Sequence, residues 1–174
     1  MKSSTSTLPT WIRFWLIFSS IVCSIDVAFM MFRPWTMQPP LSNTLFAGWM
    51  IYSKIDLRYS DPNDLVTMVN SRVMIIEIVF NIVAIYLSYH ESRHANLLAF
   101  TSTVMTFWKT VWYCTFYICP PAAPNHIAPG ISNSELLWLF WIPNSIWVIV
   151  PLLVIVSLWS SLAKTPNGRK SKMT

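Results

Sequence analysis

The chain has 174 residues, of which 54% are hydrophobic, 15% aromatic and only 11% charged, and its mean hydropathy is positive. An ordinary soluble domain carries about 25% charged residues, so this composition excludes one and identifies a membrane protein, with length for a single domain. The net charge of +5 lies largely in the terminal segments, where it reports topology and anionic lipid. No basic stripe interleaved with aromatics predicts DNA or RNA binding.

Residues 1–10 are polar and Ser/Thr-rich and are expected to be disordered. An apolar run follows over 11–32, close to the roughly 20 residues that a bilayer-spanning helix needs. Asp26 interrupts the run and no small-residue cleavage site follows it, which disfavours a cleaved signal peptide. Arg33-Pro34 ends this first span, because proline cannot continue the backbone ladder. Residues 33–65 form the longest loop, and Pro34, Pro39, Pro40 and Pro62 exclude one long helix there. Within it, the stretch 46–52 is amphipathic and is expected on the membrane surface, with Trp49 and Tyr52 at headgroup level. Further spans are predicted over about 66–87, 97–118 and 136–159, and a basic tail over 161–174. A polar turn around His90 to His94 joins the second span to the third. A proline-rich loop without Lys or Arg joins the third to the fourth. The expected fold class is an all-α integral membrane protein, a bundle of four transmembrane helices.

Four spans place both termini on one side. Lys2, Arg13, Arg93, Lys164, Arg169, Lys170 and Lys172 would share that side, and Arg33, Lys54, Arg58 and Arg72 the other. By the Lys and Arg count the termini face the cytosol. The tail ends K-S-K-M-T, so Lys170 and Lys172 sit at the positions of a K-x-K-x-x retrieval signal of endoplasmic reticulum membrane proteins, an address that is read from the cytosol. The plainer reading is a generic basic flank. Cys23, Cys114 and Cys119 have no paired or metal-ligand spacing and are expected to pack as small apolar groups. His90, His94 and His126 fall in turns, and no metal site follows from them.

Polar groups inside the spans need a reason, because a charge at the centre of a membrane helix costs about 2.5–3.5 kcal/mol on insertion scales and so faces the bundle interior. Asp26 lies in the first span, Glu77 in the second, Lys109 in the third and Asn144 in the fourth. Glu77 and Asn81 share one helix face, as do Lys109 and Tyr113, while Asn144 and Trp147 are neighbours three residues apart. Two arrangements satisfy these groups. In one, Asp26 or Glu77 pairs with Lys109 as a buried ion pair that fixes helix register. In the other, the carboxylates sit in an apolar pocket as proton donors and acceptors for a ligand or alkene. Pro143 and Pro151 flank the Asn144 turn and are expected to bend the helix toward a cavity. Trp147 beside Asn144 could hold a positive charge by cation–π attraction.

The ordered set W-x-x-Y-x-K-x-D-x-R-Y (Trp49, Tyr52, Lys54, Asp56, Arg58, Tyr59), then Glu77 in a span, then Asn144 and Trp147 in the last span, resembles the emopamil-binding protein superfamily. This is the EXPERA-domain group of sterol Δ8–Δ7 isomerase and the sigma-2 receptor, and the resemblance covers roughly residues 15–160. It implies a pocket within the membrane, open to lipid, in a protein of the endoplasmic reticulum. Glu77 matches the second-helix glutamate of acid–base chemistry or ligand binding, and Asp56 the acidic loop residue that supports the pocket entrance. Asn144 and Trp147 match the pair lining the pocket, and Asp26 stands near the first-helix acidic position. The first span has no histidine, and Lys109 is not part of the isomerase pattern. The function expected is an isomerase-like enzyme shifting a proton on a sterol, terpenoid or other apolar substrate. Asp26 and Glu77 would be catalytic, and Asp56, Asn81, Lys109, Tyr113, Asn144 and Trp147 would bind substrate. The alternative is a non-catalytic protein binding sterols or cationic amines. No cofactor and no metal are expected. The expected partner is a membrane lipid or sterol-like small molecule, not nucleic acid, and a homodimer is left open.

Overall fold

A computed structural model describes residues 8–118 and 126–163. Cys119 and the proposed signal residues Lys170 and Lys172 lie outside the described residues. Those described are helical, with no strand among them beyond one isolated bridge between Asp56 and Ile127.

Helix α1 spans Thr10–Met31 and α2 is a short helix over Ala47–Ser53. Helix α3 spans Leu65–Tyr89, α4 His94–Thr115, and α5 runs Asn133–Ala163. Among the described residues, α1, α3 and α5 are long and apolar enough to cross a membrane. Helix α4 is as long as α1, at 22 residues, but Ser102, Thr103, Thr106 and Thr110 make its buried face hydroxyl-rich. These side chains bond backbone carbonyls one turn earlier or partners on α3, which is how polar groups are satisfied where water is absent.

The starts and stops of these helices are local. Asp64 caps α3 by accepting from Thr67 N at 2.8 Å, a contribution of about 1 kcal/mol, and also pairs with Arg58 at 2.7 Å. Ser132 and Glu135 form a reciprocal capping box at the start of α5. Helix α5 then opens into a π-helical turn over Leu137–Trp141 before returning to α geometry, and it carries Pro151 in its interior.

The long helices alternate in direction, with α1 packed on α3, α3 on α4 and α4 on α5. At the end that holds the start of α1, they close over a core of Ile12, Trp15, Leu16, Ala84, Ala99 and Val154. Outward-facing residues such as Phe14 (70% exposed), Leu65 (78%) and Val156 (64%) leave an apolar perimeter, a surface suited to lipid and not to water.

The loop between α1 and α3 folds back over the opposite end of the bundle. Arg33, buried, is its hub: the guanidinium donates to the carbonyls of Arg58 and Tyr59, each at 2.9 Å, and to Thr67 Oγ1 at 3.2 Å. A second strap comes from the loop before α5, where Leu57 N donates to His126 O at 2.8 Å and Ala128 N to Ile55 O at 2.9 Å. Phe46 packs on Phe29 beneath this cover. Trp49 and Tyr52, expected at headgroup level, each hydrogen-bond a part-buried side chain of the bundle, Asp26 and Asn144.

Candidate functional site

A cavity of about 390 Å³ lies between α1 and α5 under α2, within the roughly 300–1,000 Å³ common for small-molecule sites. Most of its wall is apolar or aromatic, with a few convergent polar groups, chiefly Asp26, Lys109 and Asn144. Trp147 closes the floor, with its ring 5.5 Å from Trp15 and 6.1 Å from Phe18.

Asp26 faces this space from α1 and holds α2 at the same time, since its Oδ1 accepts from Trp49 Nε1 at 2.7 Å. Asn144 reaches up from α5, donating to the Tyr52 hydroxyl at 3.1 Å and to Phe140 O at 2.8 Å. Tyr52 stacks on Phe140 and meets Tyr59 edge-on at 4.6 Å. Burial pushes the Tyr52 phenol well above its ordinary value, so it serves as a neutral hydroxyl. The roof is thereby fastened to the bundle at two points, one on α1 and one on α5.

Glu77 is not on the cavity wall. It is 2% exposed, and its Oε2 accepts from Thr106 Oγ1 and from Lys109 Nζ, each at 2.9 Å. Its Oε1 meets no donor among the described residues. Lys109 does line the cavity, so the carboxylate of Glu77 stands behind a cation that faces the ligand space. Of the two arrangements open to the sequence, the ion pair is therefore formed, and Glu77 is the partner. Asn81 lies one turn further from the cavity and accepts from Ser102 Oγ at 2.7 Å.

Asp56 also stands off the wall, as a clamp. It is fully buried, caps the turn Leu57–Ser60 and accepts from Tyr117 at 2.7 Å and from Tyr113 at 2.5 Å. Tyr113 itself lines the cavity, so the wall of α4 is tied to the roof through this carboxylate. Burial pushes the Asp56 carboxyl up, against the hydrogen bonds from Tyr113, Tyr117 and Arg58 N, which favour the ionised form. A group raised in this way binds its proton more tightly in the folded chain than in the unfolded one. Its contribution to stability is complete below the unfolded value of about 3.9 and is lost as pH rises through the folded value. The melting temperature should therefore fall as pH rises above about 4, and D56N should flatten that part of the profile. The same slope in both proteins would show that another group causes it.

The structure thus brings Asp26, Lys109, Tyr113, Asn144 and Trp147 to one cavity, places Glu77 and Asp56 directly behind its wall, and leaves Asn81 one turn beyond Glu77. Sequence reasoning missed Tyr59, Asn70 and Cys23 on the wall, and the place of Trp49 and Tyr52 there. The three-residue spacing of Trp49 and Tyr52 on a helix was a usable signal, since it puts both on one face.

No family model matches the chain, and no solved structure does. An isomeliandiol synthase of Melia azedarach is 20% identical over 149 residues, which is 85% of this chain and 67% of that protein. A probable 3-beta-hydroxysteroid-Delta(8),Delta(7)-isomerase of Oryza sativa subsp. japonica is 21% identical over 172 residues, 96% of this chain and 74% of its own length. The chain is therefore similar, at low identity, to a sterol isomerase and to a second enzyme, and this similarity mildly favours an enzyme of isomerase type in a membrane.

Proposed function

We propose that this protein is a cofactor-independent, isomerase-like membrane enzyme of the emopamil-binding type that moves a proton on a sterol, terpenoid or other apolar substrate. The observation that carries this reading is a carboxylate, Asp26, facing an aromatic-walled cavity large enough for a lipid-sized ring system. Helix α4 is the fourth span in this reading, and the cavity lies within the membrane and takes its substrate from lipid. Asp26 meets the substrate and carries the proton. Glu77 acts through Lys109, holding its ammonium in place. Asn144 and Trp147 orient the substrate from the floor and far wall, and Asp56, through Tyr113, keeps the roof closed. The basic tail retains the protein in the endoplasmic reticulum, with both termini cytosolic.

A second reading has its own support. With Glu77 behind Lys109, Asp26 is the carboxylate on the cavity wall among the described residues, and a single acid within aromatic rings is also a counter-ion site for a cationic amine. Both readings are tested together by giving the full-length protein, in lipid nanodiscs, sterol and terpenoid olefins in deuterated water. Deuterium appearing in a recovered lipid is the expected result. Tight amine binding without exchange into any olefin would instead favour a binding protein like the sigma-2 receptor.

A further inference from the structure

Among the described residues on the cavity wall, Lys109 is the one cation. Most other donors there already have partners. Trp49 Nε1–H is on Asp26, the Tyr113 hydroxyl on Asp56, and the Thr110 hydroxyl on Thr106 O. The Asn144 amide donates to Tyr52 and to Phe140 O. A lysine ammonium has three N–H donors, and Glu77 Oε2 takes one of them at 2.9 Å. The remaining two are available to a group that enters the cavity.

The sign of the charge matters as much as its presence. A fixed ammonium at the wall opposes a carbocation near it and stabilises an oxygen on which negative charge develops. Glu77 balances the ammonium overall, so the site does not require a fully charged ligand; a neutral carbonyl suits it. Asp26 stands on the same cavity, within electrostatic reach of Lys109. A base and an oxygen-binding donor that share one apolar space are what proton transfer beside a carbonyl requires.

We propose that the substrate is an unsaturated ketone of sterol or terpenoid size, with its carbonyl oxygen on Lys109 Nζ, and that Asp26 moves the proton that shifts its double bond into conjugation. This deepens the proton-shift reading above and rests on it. In the first step the Asp26 carboxylate takes a proton from the carbon between the carbonyl and the β,γ double bond. The C–H pair becomes a new carbon–carbon π bond, and the carbonyl π pair moves onto oxygen, giving a dienolate held by Lys109 N–H. In the second step, after the Asp26 acid has exchanged its proton with water, the oxygen pair re-forms the carbonyl, the double bond settles between the α and β carbons, and the γ carbon takes a proton from Asp26. Atoms and electrons balance without any co-reactant. The product is the conjugated isomer.

A matched pair of steroids separates this from carbocation chemistry: a 5-en-3-one and the corresponding 5-en-3-ol, which cannot form a dienolate. With full-length protein in nanodiscs and deuterated water, the ketone should become the conjugated enone above the protein-free rate, with deuterium at the γ carbon. The alcohol should exchange at least about 100-fold more slowly. A K109M/E77Q double variant, which removes both charges together, should lower kcat for the ketone by about 10²–10³-fold, the usual loss of an oxyanion donor, and change KM much less. Equal exchange of the alcohol, or an unchanged ketone rate in the double variant, would overturn the role of Lys109 and leave the proton-shift reading standing. No exchange into either steroid, nor into the olefins tested above, would overturn both.

Discussion

Replacing Asp26 with asparagine should slow proton exchange into the substrate by about 10²–10⁴-fold, the share that a positioned acid–base group contributes. The fold should be almost unaffected. Asparagine keeps the shape of the side chain and an oxygen that can still accept from Trp49 Nε1, now 2.7 Å from Oδ1, so α2 stays fastened over the cavity. What the amide cannot do is take or return a proton. The measurement is deuterium incorporation by the variant beside its melting temperature in nanodiscs. Exchange within about threefold of the parent, with the melt unchanged, would mean that the proton travels by another group.

The second large effect concerns stability. K109M should destabilise the bundle by about 3–5 kcal/mol, the cost of leaving one member of a buried ion pair without its partner. Glu77 is 2% exposed, and among the described residues its Oε1 already meets no donor, so without Lys109 the side chain keeps only the Thr106 hydroxyl of the partners described there. The methionine fills much the same space as the lysine stem, so packing changes little. Adding E77Q should recover most of the loss, since a neutral amide needs only hydrogen bonds and Thr106 Oγ1, at 2.9 Å, still donates. Unfolding of the single and double variants in detergent micelles reads this directly. If the double variant were as unstable as K109M, the loss would come from packing and not from charge.

The helices were legible in the sequence because lipid imposes a simple rule, a long apolar run without water-seeking side chains. That rule exposes α1, α3 and α5, and it weakens for α4, whose buried hydroxyls lower its hydropathy while satisfying themselves on the preceding turn. Polar residues within spans were legible as groups in need of partners, and several of them meet at one cavity. Their pairing was not legible. Asp26 and Glu77 were equivalent carboxylates on paper, and only the side-by-side packing of α3 and α4 assigns Lys109 to Glu77. The contacts of the roof were not legible for a physical reason: Trp49 and Tyr52 have the same amphipathic character at a headgroup interface as on a lid. Their partners, Asp26 and Asn144, are 23 and 92 residues away in the chain, and no local pattern shows such a contact.

The π-helical turn over Leu137–Trp141 has a consequence for how this wall is inherited. Such a turn closes its backbone bonds over five residues instead of four, so it amounts to one surplus residue lodged in an α-helix. Each residue advances an α-helix by about 100°. Straightening the turn to α geometry with every residue kept would leave a smoother and equally apolar helix, yet rotate everything after it by more than a quarter of a circle. Asn144 and Trp147 would then leave the cavity while remaining unchanged in identity. Relatives aligned by residue type alone can thus agree at both positions and still differ in whether the pair faces the cavity. The turn that absorbs the surplus residue sets the phase of the last helix.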